Sequence, residues 1–341
     1  MKSYNNLKPL AYYEELEPKE IAIYQEQYFD RNDLVITKEL NIKAIKQRAL
    51  TTFKDYDYNL PQNIFVIKQF HGQTIVGRKI RSSLRIENKI NAINCSMITA
   101  PMLLGILSKR KKTKRQIVIN FFPFTNEEKQ IVFDEIKINR QFDIYYPYKY
   151  RDYATNQEEK SPAEGWTFNP DKKEYLGYGE VHLRKFTNTF LLNHKIDLNH
   201  KIIYDPACST GEFLSSIKQI FPESYTIGHD LSAQMIAYAQ NYVDEAGCYN
   251  AAFSPLAANS VDVLFLRFLN SEVVTTKAAY EIFKTLKAKV KKGGLIIAFG
   301  HTPVLITKAW LEKQGLKTIN CNGYDEEADA IFQYYGFEVS S

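Results

Sequence analysis

Two aspartates and a run of small residues follow neighbouring apolar runs in the second half of the chain. "IIYDPACSTGEF" begins as a buried strand ending at Asp205, and residues 207–211 are all small. Small side chains let a ligand reach the backbone amides at a helix start, where the helix dipole favours an anion. Asp230 ends the next run, "TIGHD", where a carboxylate can accept hydrogen bonds from both ribose hydroxyls. The spacing predicts a site for an adenosine-containing cofactor, although "DLSAQMI" is also good capping chemistry and leaves a simple helix cap open.

The elements that position these residues form an alternating pattern. Helical patterns separate the apolar runs "KIIYDPA", "SYTIGHD", "GCYNAAF", "VDVLFLRFL" and "GGLIIAFG", and "VHLRKFTNTFLLNHKI" predicts a preceding helix. Strands that alternate with helices indicate right-handed crossovers and a mostly parallel sheet. Ligands of such α/β sheets bind at the carboxyl ends of the strands, where Asp205, Asp230 and Asn250 lie.

Four motifs in this half resemble those of class I S-adenosylmethionine-dependent methyltransferases. "DPACSTG" resembles D-x-G-C-G-T-G, and "GHDLSAQMIAYA" resembles G-x-D-x-S-x-x-M-x-x-x-A. "NAAFSPLAANSVD" resembles D-A-x-x-L-P-F-x-x-x-S-F-D with Asn250 in place of the first Asp, and "KKGGLIIAFG" resembles the L-x-P-G-G-x-L turn. The resemblance covers about residues 180 to 339. It implies a Rossmann-like domain with a mostly parallel seven-stranded sheet that uses S-adenosylmethionine, either as methyl donor or as the substrate itself.

The resemblance also implies the cofactor contacts. The small residues of the first loop would cradle the methionine part, Asp230 would hold the ribose, and Asn250 with Ala251 would meet the adenine edge. The departures from glycine at Ala207 and Ser209 stay small but take positive φ less freely. The full predicted set comprises Tyr175, Tyr178, Asp205, Ala207, Cys208, Ser209, Gly211, Asp230, Leu231, Asn250, Ala251 and Arg267.

Three residues are predicted to act at the reacting centre: Tyr178, Asn270 and His301. The Tyr175 and Tyr178 rings, in "EYLGYGEVHLRKF", can attract a sulfonium cation through their faces. His301, in "FGHTP", is a candidate general base because the pKa of histidine lies near neutrality, although a loop histidine without a role is the alternative. No metal site is predicted, because the four cysteines are scattered without a CxxC pair.

The chain is expected to contain two domains, since 341 residues exceed one typical domain. Residues 1–151 are interpreted as an N-terminal α+β cap or substrate domain, with strands in "QNIFVIKQF", "QTIVGRKI" and "RQIVINFFPF" and a helix in "ITKELNIKAIKQRALTTF". The polar, Pro- and Gly-containing residues 152–179 are interpreted as a connector and lid. Residues 180–341 form the predicted S-adenosylmethionine-binding catalytic domain.

Composition limits the partners and the location. A net charge of +5 does not by itself indicate nucleic acid. The basic run "KRKKTKR" at residues 109–115 fits a solvated loop between two strands better than a phosphate grip, although "YYPYKYRDY" could stack on bases. No long apolar span and no signal peptide are evident, so we expect a cytoplasmic protein with no membrane partner. The oligomeric state is open.

Four functions remain in competition. The first is methylation of a small molecule, such as an amino acid or a specialised metabolite. The second is cyclisation of S-adenosylmethionine itself, giving azetidine-2-carboxylate and methylthioadenosine, and the third is RNA methylation. The fourth is a non-catalytic cofactor-binding module, which the retained Asp230 disfavours. Adenine-N6 DNA methylation is disfavoured because no N/D-P-P-Y/F motif follows the fourth strand, where the chain reads "RFLN".

Overall fold

The computed structural model describes residues 40–56, 64–79, 96–113, 116–148, 157–158, 160–167, 181–271 and 273–340. The chain divides into two compact units. The first contains Met1–Gln157 and Asn322–Gln333, and the second contains Glu158–Cys321 and Tyr334–Ser341. The domain boundaries expected after residues 151 and 179 fall outside the described residues and stay predictions.

The first unit is built on a six-stranded antiparallel sheet. Its elements are α1 (Ile42–Lys46), β1 (Thr51–Tyr56), β2 (Ile64–Phe70), β3 (Gln73–Arg78), β4 (Leu103–Lys112), β5 (Gln116–Pro123), α2 (Asn126–Ile138) and β6 (Asp143–Tyr145). The strand order is β1-β5-β4-β3-β2-β6. Strands β2, β3 and β5 confirm the three strand predictions for this half.

Two sequence predictions for this unit were wrong in part. The basic run was expected in a loop, but Lys109–Lys112 lie in β4 and pair with Asn120–Ile117 of β5. The helix predicted over residues 36–53 is only the five-residue α1 within the described part, and Thr51 already begins β1. Pairing of β1 with β5, from Thr51 opposite Phe121 onward, overrides the local helical pattern.

The second unit carries the alternating pattern. It contains α3 (Val181–Asn193), β7 (Ile202–Asp205), α4 (Glu212–Ile220), β8 (Tyr225–Asp230), α5 (Ala233–Ala239), β9 (Glu245–Cys248), β10 (Val261–Leu266), α6 (Thr276–Lys287), β11 (Val290–Phe299) and α7 (Lys308–Lys313). With β12 (Leu316–Asp325) and β13 (Ala330–Val339), its strands form a seven-stranded sheet in the order β12-β13-β11-β10-β7-β8-β9. Neighbours from β9 to β11 are parallel and β13 is antiparallel to β11, so the α/β fold is confirmed and the sheet is mixed.

The strand order reverses direction between β7 and β10. From β7 the chain proceeds outward to β8 and β9, and it then returns to β10 and β11 on the other side. Such a reversal leaves a crevice outside the carboxyl ends of the two central strands, where ligands of α/β sheets bind. In the described part of the chain, no helix combines the length and the hydropathy that a membrane span requires.

Candidate functional site

The loop between β7 and α4 is held by backbone hydrogen bonds to its neighbours. Asp205 ends β7, is fully buried, and accepts the Ala207 amide through Oδ1 at 3.0 Å. The Cys208 amide donates to a backbone carbonyl of β8 at 2.8 Å, and the Ser209 amide donates to Oδ2 of Asp230 at 2.9 Å. The loop is therefore shaped by β8, the strand that carries the predicted ribose contact.

Positive φ angles occur at two positions of this loop: 53° at Ser209 and 83° at Gly211. Gly211 precedes α4, and a Cβ there would lie 3.1 Å from the Cα of Ala239. Ser209 adopts the left-handed conformation although it costs a non-glycine residue about 1–2 kcal/mol. Its hydroxyl lies 3.6 Å from the Sδ of Met235 in α5. Where the methyltransferase motif has its second glycine, this chain therefore has a serine in the left-handed conformation, and the hydroxyl of that serine faces α5.

Cys208 faces the protein core. Its side chain is 1% exposed, and a Cβ added at Gly228 would lie 2.8 Å from its Sγ. Burial raises the pKa of the Cys208 thiol far above its usual value, which makes the thiol an unreactive packing group. A cofactor contact of Cys208, which stays a prediction, would therefore use the backbone.

Asp230, at the end of β8, offers a partly exposed carboxylate. Its Oδ2 accepts the Ser209 amide, and its Oδ1 accepts the Ser232 amide, each at 2.9 Å. Burial raises the pKa of Asp230, and these two hydrogen bonds oppose that rise. Each carboxylate oxygen can accept a further hydrogen bond, so the geometry fits a pair of ribose hydroxyls.

The segment after β9 lies next to this carboxylate. The Tyr249 amide donates to the carbonyl of Asp230 at 3.0 Å. Asn250 then caps a short 3-10 helix, Ala251–Phe253, by accepting the Ala252 amide at 2.9 Å. The exposed Asn250 side chain retains its amide donors for an adenine ring nitrogen. Leu231, predicted to contact the cofactor as well, accepts the Cys248 thiol through its carbonyl.

A buried ion pair joins the two central strands at the crevice. The Nε of Arg267, just after β10, donates to Oδ2 of Asp205 at 2.7 Å, and the two side chains are 5% and 0% exposed. The Nη2 of Arg267 donates to the carbonyl of Ala207 at 3.3 Å, and its guanidinium lies 4.6 Å from the ring centre of Phe213. Arg267, predicted from sequence as a cofactor contact, thus holds both the strand and the loop.

Asn270 is packed between the ends of β10 and β11. Its Nδ2 donates to the carbonyl of Arg267 at 2.8 Å, and only 3% of the residue is exposed. A Cβ added at Gly300 would lie 1.7 Å from that Nδ2. The Asn270 side chain therefore holds the segment after β10 close to Gly300, and its catalytic role stays a prediction.

The loops that follow β10 and β11 pair with each other through their backbones. Asn270 forms a β-bridge with Val304, and the Leu305 amide donates to the carbonyl of Leu269 at 2.9 Å. The Thr302 hydroxyl donates to the carbonyl of Ser271 at 2.7 Å. The paired loops, residues 267–271 with 273–275 and residues 300–307, therefore form one wall at the carboxyl edge of the sheet.

The remaining predicted residues are placed as follows. His301 directly follows Gly300 in the second of the paired loops and is half-buried, which leaves its role as a base a prediction. Tyr175 and Tyr178 lie outside the described residues. Among the described residues, no group of three or more His, Cys, Asp or Glu side chains is arranged to hold a metal ion.

Three polar side chains in the core beside the site were missed from the sequence. Tyr204 in β7 hydrogen-bonds to His229 in β8 and to Ser254, and all three are buried. The available signal was a polar residue inside each of two apolar runs, "IIYD" and "TIGHD". Such a residue is expected to find a buried partner.

Residues 203–294 match the sequence model of a methyltransferase domain. This match, the α/β sheet and the geometry of the loop and Asp230 support a class I S-adenosylmethionine-dependent methyltransferase domain in the second unit. S-adenosylmethionine is its cofactor or its substrate.

Among known proteins, the chain is similar to isonocardicin synthase of Nocardia uniformis subsp. tsuyamanensis. The two are 29% identical over 284 residues, which cover 82% of this chain and 92% of that relative. A solved S-adenosylmethionine-dependent methyltransferase from Aquifex aeolicus is 17% identical with a TM-score of 0.38, over 50% of this chain and 99% of that one. Geranyl diphosphate C-methyltransferase from Streptomyces coelicolor A3(2) is 11% identical with a TM-score of 0.36, over 50% of this chain and 87% of that one.

Proposed function

We propose that the chain transfers the methyl group of S-adenosylmethionine to a small molecule, an amino acid or an intermediate of specialised metabolite biosynthesis. The match of residues 203–294 to a methyltransferase domain supports transfer of the methyl group, and the similarity to isonocardicin synthase, a protein named for making a small molecule, supports a small-molecule acceptor. The 284 aligned residues outnumber those of the second unit, so the similarity extends beyond the part that carries the cofactor motifs. A substrate other than nucleic acid is thereby favoured.

The chain's own residues would bind and orient the reactants. When bound, S-adenosylmethionine supplies an activated methyl group on a sulfonium. Asp230 would accept hydrogen bonds from its ribose, and the loop fixed by Arg267 and Asp205 would hold its methionine part. Methyl transfer depends mainly on in-line approach and proximity, so a rigid loop contributes directly to the rate. His301, in the paired loops, would accept the proton of an acceptor that needs deprotonation.

Cyclisation of S-adenosylmethionine is the first alternative. In that reaction the α-amino nitrogen attacks Cγ, the Cγ–S bond breaks, and methylthioadenosine leaves as azetidine-2-carboxylate forms. The loop hydroxyls would then be needed to hold the methionine carboxylate and bend its chain. The Ser209 hydroxyl faces Met235 instead, so this alternative has less support.

RNA methylation is the second alternative. Its support is the basic strand β4, where the charged groups of Arg110 and Lys112 lie 6.0 and 5.8 Å from the ring centre of Tyr148. The exposed basic strand can bind a phosphate backbone, but Tyr148 is only 7% exposed and offers little ring face to a base. The similarity to a small-molecule synthase counts against this substrate.

Product analysis separates the three reactions. The protein is incubated with S-adenosylmethionine alone, with pooled amino acids and metabolites, or with total RNA, and the products are identified by mass spectrometry. S-adenosylhomocysteine formed only with the small-molecule pool supports the proposal. Methylthioadenosine formed without an acceptor replaces it with the cyclase, and S-adenosylhomocysteine formed only with RNA replaces it with the RNA enzyme.

A pair of aspartate variants controls this experiment. Asp230→Ala removes the proposed ribose contact and should abolish product formation. Asp244→Ala removes a carboxylate that hydrogen-bonds Lys218 and Thr226 just before β9, and product formation should persist. Equal activity of the two variants would place the ribose elsewhere.

A further inference from the structure

A buried polar network connects β7 and β8 to the segment after β9. The Tyr204 hydroxyl donates to the Oγ of Ser254 at 3.0 Å and lies 2.9 Å from the Nδ1 of His229. Tyrosine has a single hydroxyl proton, so with that proton directed to Ser254 we assign the His229 proton to Nδ1, which then donates to the phenol oxygen. Tyr204 and His229 are 0% exposed and Ser254 is 7% exposed.

His229 also holds the first loop and packs under the segment after β9. Its backbone carbonyl accepts the Cys208 amide at 2.8 Å. Its ring lies 4.7 Å from that of Tyr249, and a Cβ added at Gly247 would lie 2.5 Å from the Tyr249 ring and 3.2 Å from the His229 ring. Burial lowers the pKa of His229 to about 4, which keeps the ring neutral near pH 7.

Ser254 ends the short helix that begins after Asn250. The helix Ala251–Phe253 has Asn250 at one end and Ser254 at the other. Asn250 at one end is the predicted adenine contact, while Ser254 at the other is hydrogen-bonded to Tyr204. Both residues that flank this three-residue helix are hydrogen-bonded, Asn250 to the Ala252 amide and Ser254 to Tyr204, so the placement of the helix depends on the Ser254 bond.

We propose that Tyr204, His229 and Ser254 are positioning residues that fix the Asn250–Phe253 segment against β7 and β8 and so set the site's preference for adenine. The inference rests on the proposed contact between Asn250 and the adenine edge. The network touches neither the proposed acceptor nor the sulfonium. Its loss should therefore weaken cofactor binding and raise KM for S-adenosylmethionine while leaving kcat unchanged.

The test compares two nucleoside thioethers in calorimetric titrations. S-adenosylhomocysteine carries adenine, and S-inosylhomocysteine replaces its 6-amino group with a carbonyl oxygen. Ser254→Ala removes one hydrogen bond and should weaken binding of S-adenosylhomocysteine about three- to tenfold, and Tyr204→Phe, which removes two, should weaken it at least as much. Both variants should reduce the ratio by which the site binds S-adenosylhomocysteine more tightly than S-inosylhomocysteine. The double variant should lose no more than the larger single effect, because both changes remove the same bond.

His229 provides a rescue pair. Asn places an amide donor near the position of Nδ1, so His229→Asn should retain more of the preference for adenine than His229→Leu, which places no donor there. The matched control is Tyr334→Phe, which removes another fully buried tyrosine hydroxyl, bonded to Thr187 at 3.1 Å. This control should lower thermal stability without changing either affinity.

The contrary outcomes are distinguishable. Wild-type protein that binds neither thioether would overturn the cofactor assignment and this inference with it. Wild-type binding without a preference for adenine would overturn the proposed contact at Asn250. A clear wild-type preference that Tyr204→Phe and Ser254→Ala both leave unchanged would overturn the positioning role alone, even if the two variants lower stability as Tyr334→Phe does.

Discussion

Replacing Arg267 with Met should destabilise the second unit, because it leaves the buried carboxylate of Asp205 without its cationic partner. The guanidinium of Arg267 is bonded to Asp205, which is completely buried, and the Met side chain fills similar space without a charge. Removing one partner of a buried ion pair costs about 3–5 kcal/mol. The double variant Arg267→Met/Asp205→Asn also removes the unpaired charge, so it should recover most of the lost unfolding free energy.

Equilibrium unfolding in urea provides the measurement. Both tryptophans, Trp166 and Trp310, lie in the second unit, so tryptophan fluorescence reports on that unit. We expect Arg267→Met to lower the unfolding free energy by about 3 kcal/mol and the double variant to recover at least about half of this loss. If Arg267→Met and the double variant unfold at the same urea concentration, the pair is not coupled and the reasoning fails.

Three further predictions concern the loops and β8. Ser209→Val should lower the unfolding free energy by about 1–2 kcal/mol more than Ser209→Gly, because a β-branched residue disfavours the φ of 53° at this position. Equal melting temperatures of the two variants would contradict this prediction. Gly300→Ala should lower the unfolding free energy in urea by about 1–3 kcal/mol, because the added methyl group clashes with Asn270. Adding Asn270→Ala should restore part of this loss, and an unchanged loss in the double variant would mean that the strain lies elsewhere. His229 has a pKa of about 4 when folded and about 6.5 when unfolded, so its contribution to stability is present above pH 6.5 and is lost as pH falls toward 4. The unfolding free energy of the wild-type protein should therefore fall more steeply between pH 6.5 and 4 than that of His229→Asn, with slopes that differ by about 1.4 kcal/mol per pH unit. Parallel curves for the two proteins would mean that His229 is not buried in its neutral form.

The α/β half was predictable because its signals are local. The apolar runs, the small residues before Gly211 and the aspartate that ends β8 each lie within a few residues of the element that they mark. The pairing of Arg267 with Asp205 was not predictable, because the two residues are far apart along the chain and meet only through the strand order. His229 was hidden for a similar reason, since its partner Tyr204 lies on a different strand.

In the first half of the chain, local sequence patterns predicted the secondary structure less well. The sequence around α1 has a helical period, yet Thr51 and the residues after it form an edge strand on β5. Lys109 to Lys112 carry charges typical of a loop, but pairing with β5 continues through them. In an antiparallel sheet an exposed strand can carry many charges, so composition alone cannot locate where the strand ends.

The paired loops after β10 and β11 have a consequence for engineering this enzyme. The two loops share a backbone bridge and several hydrogen bonds among their described residues, so the conformation of each loop depends on the other. A graft that exchanges one loop with a relative's would leave the other loop's backbone groups without their partners. The two loops would therefore have to be exchanged together, with Gly300 and Asn270 kept as a matched pair.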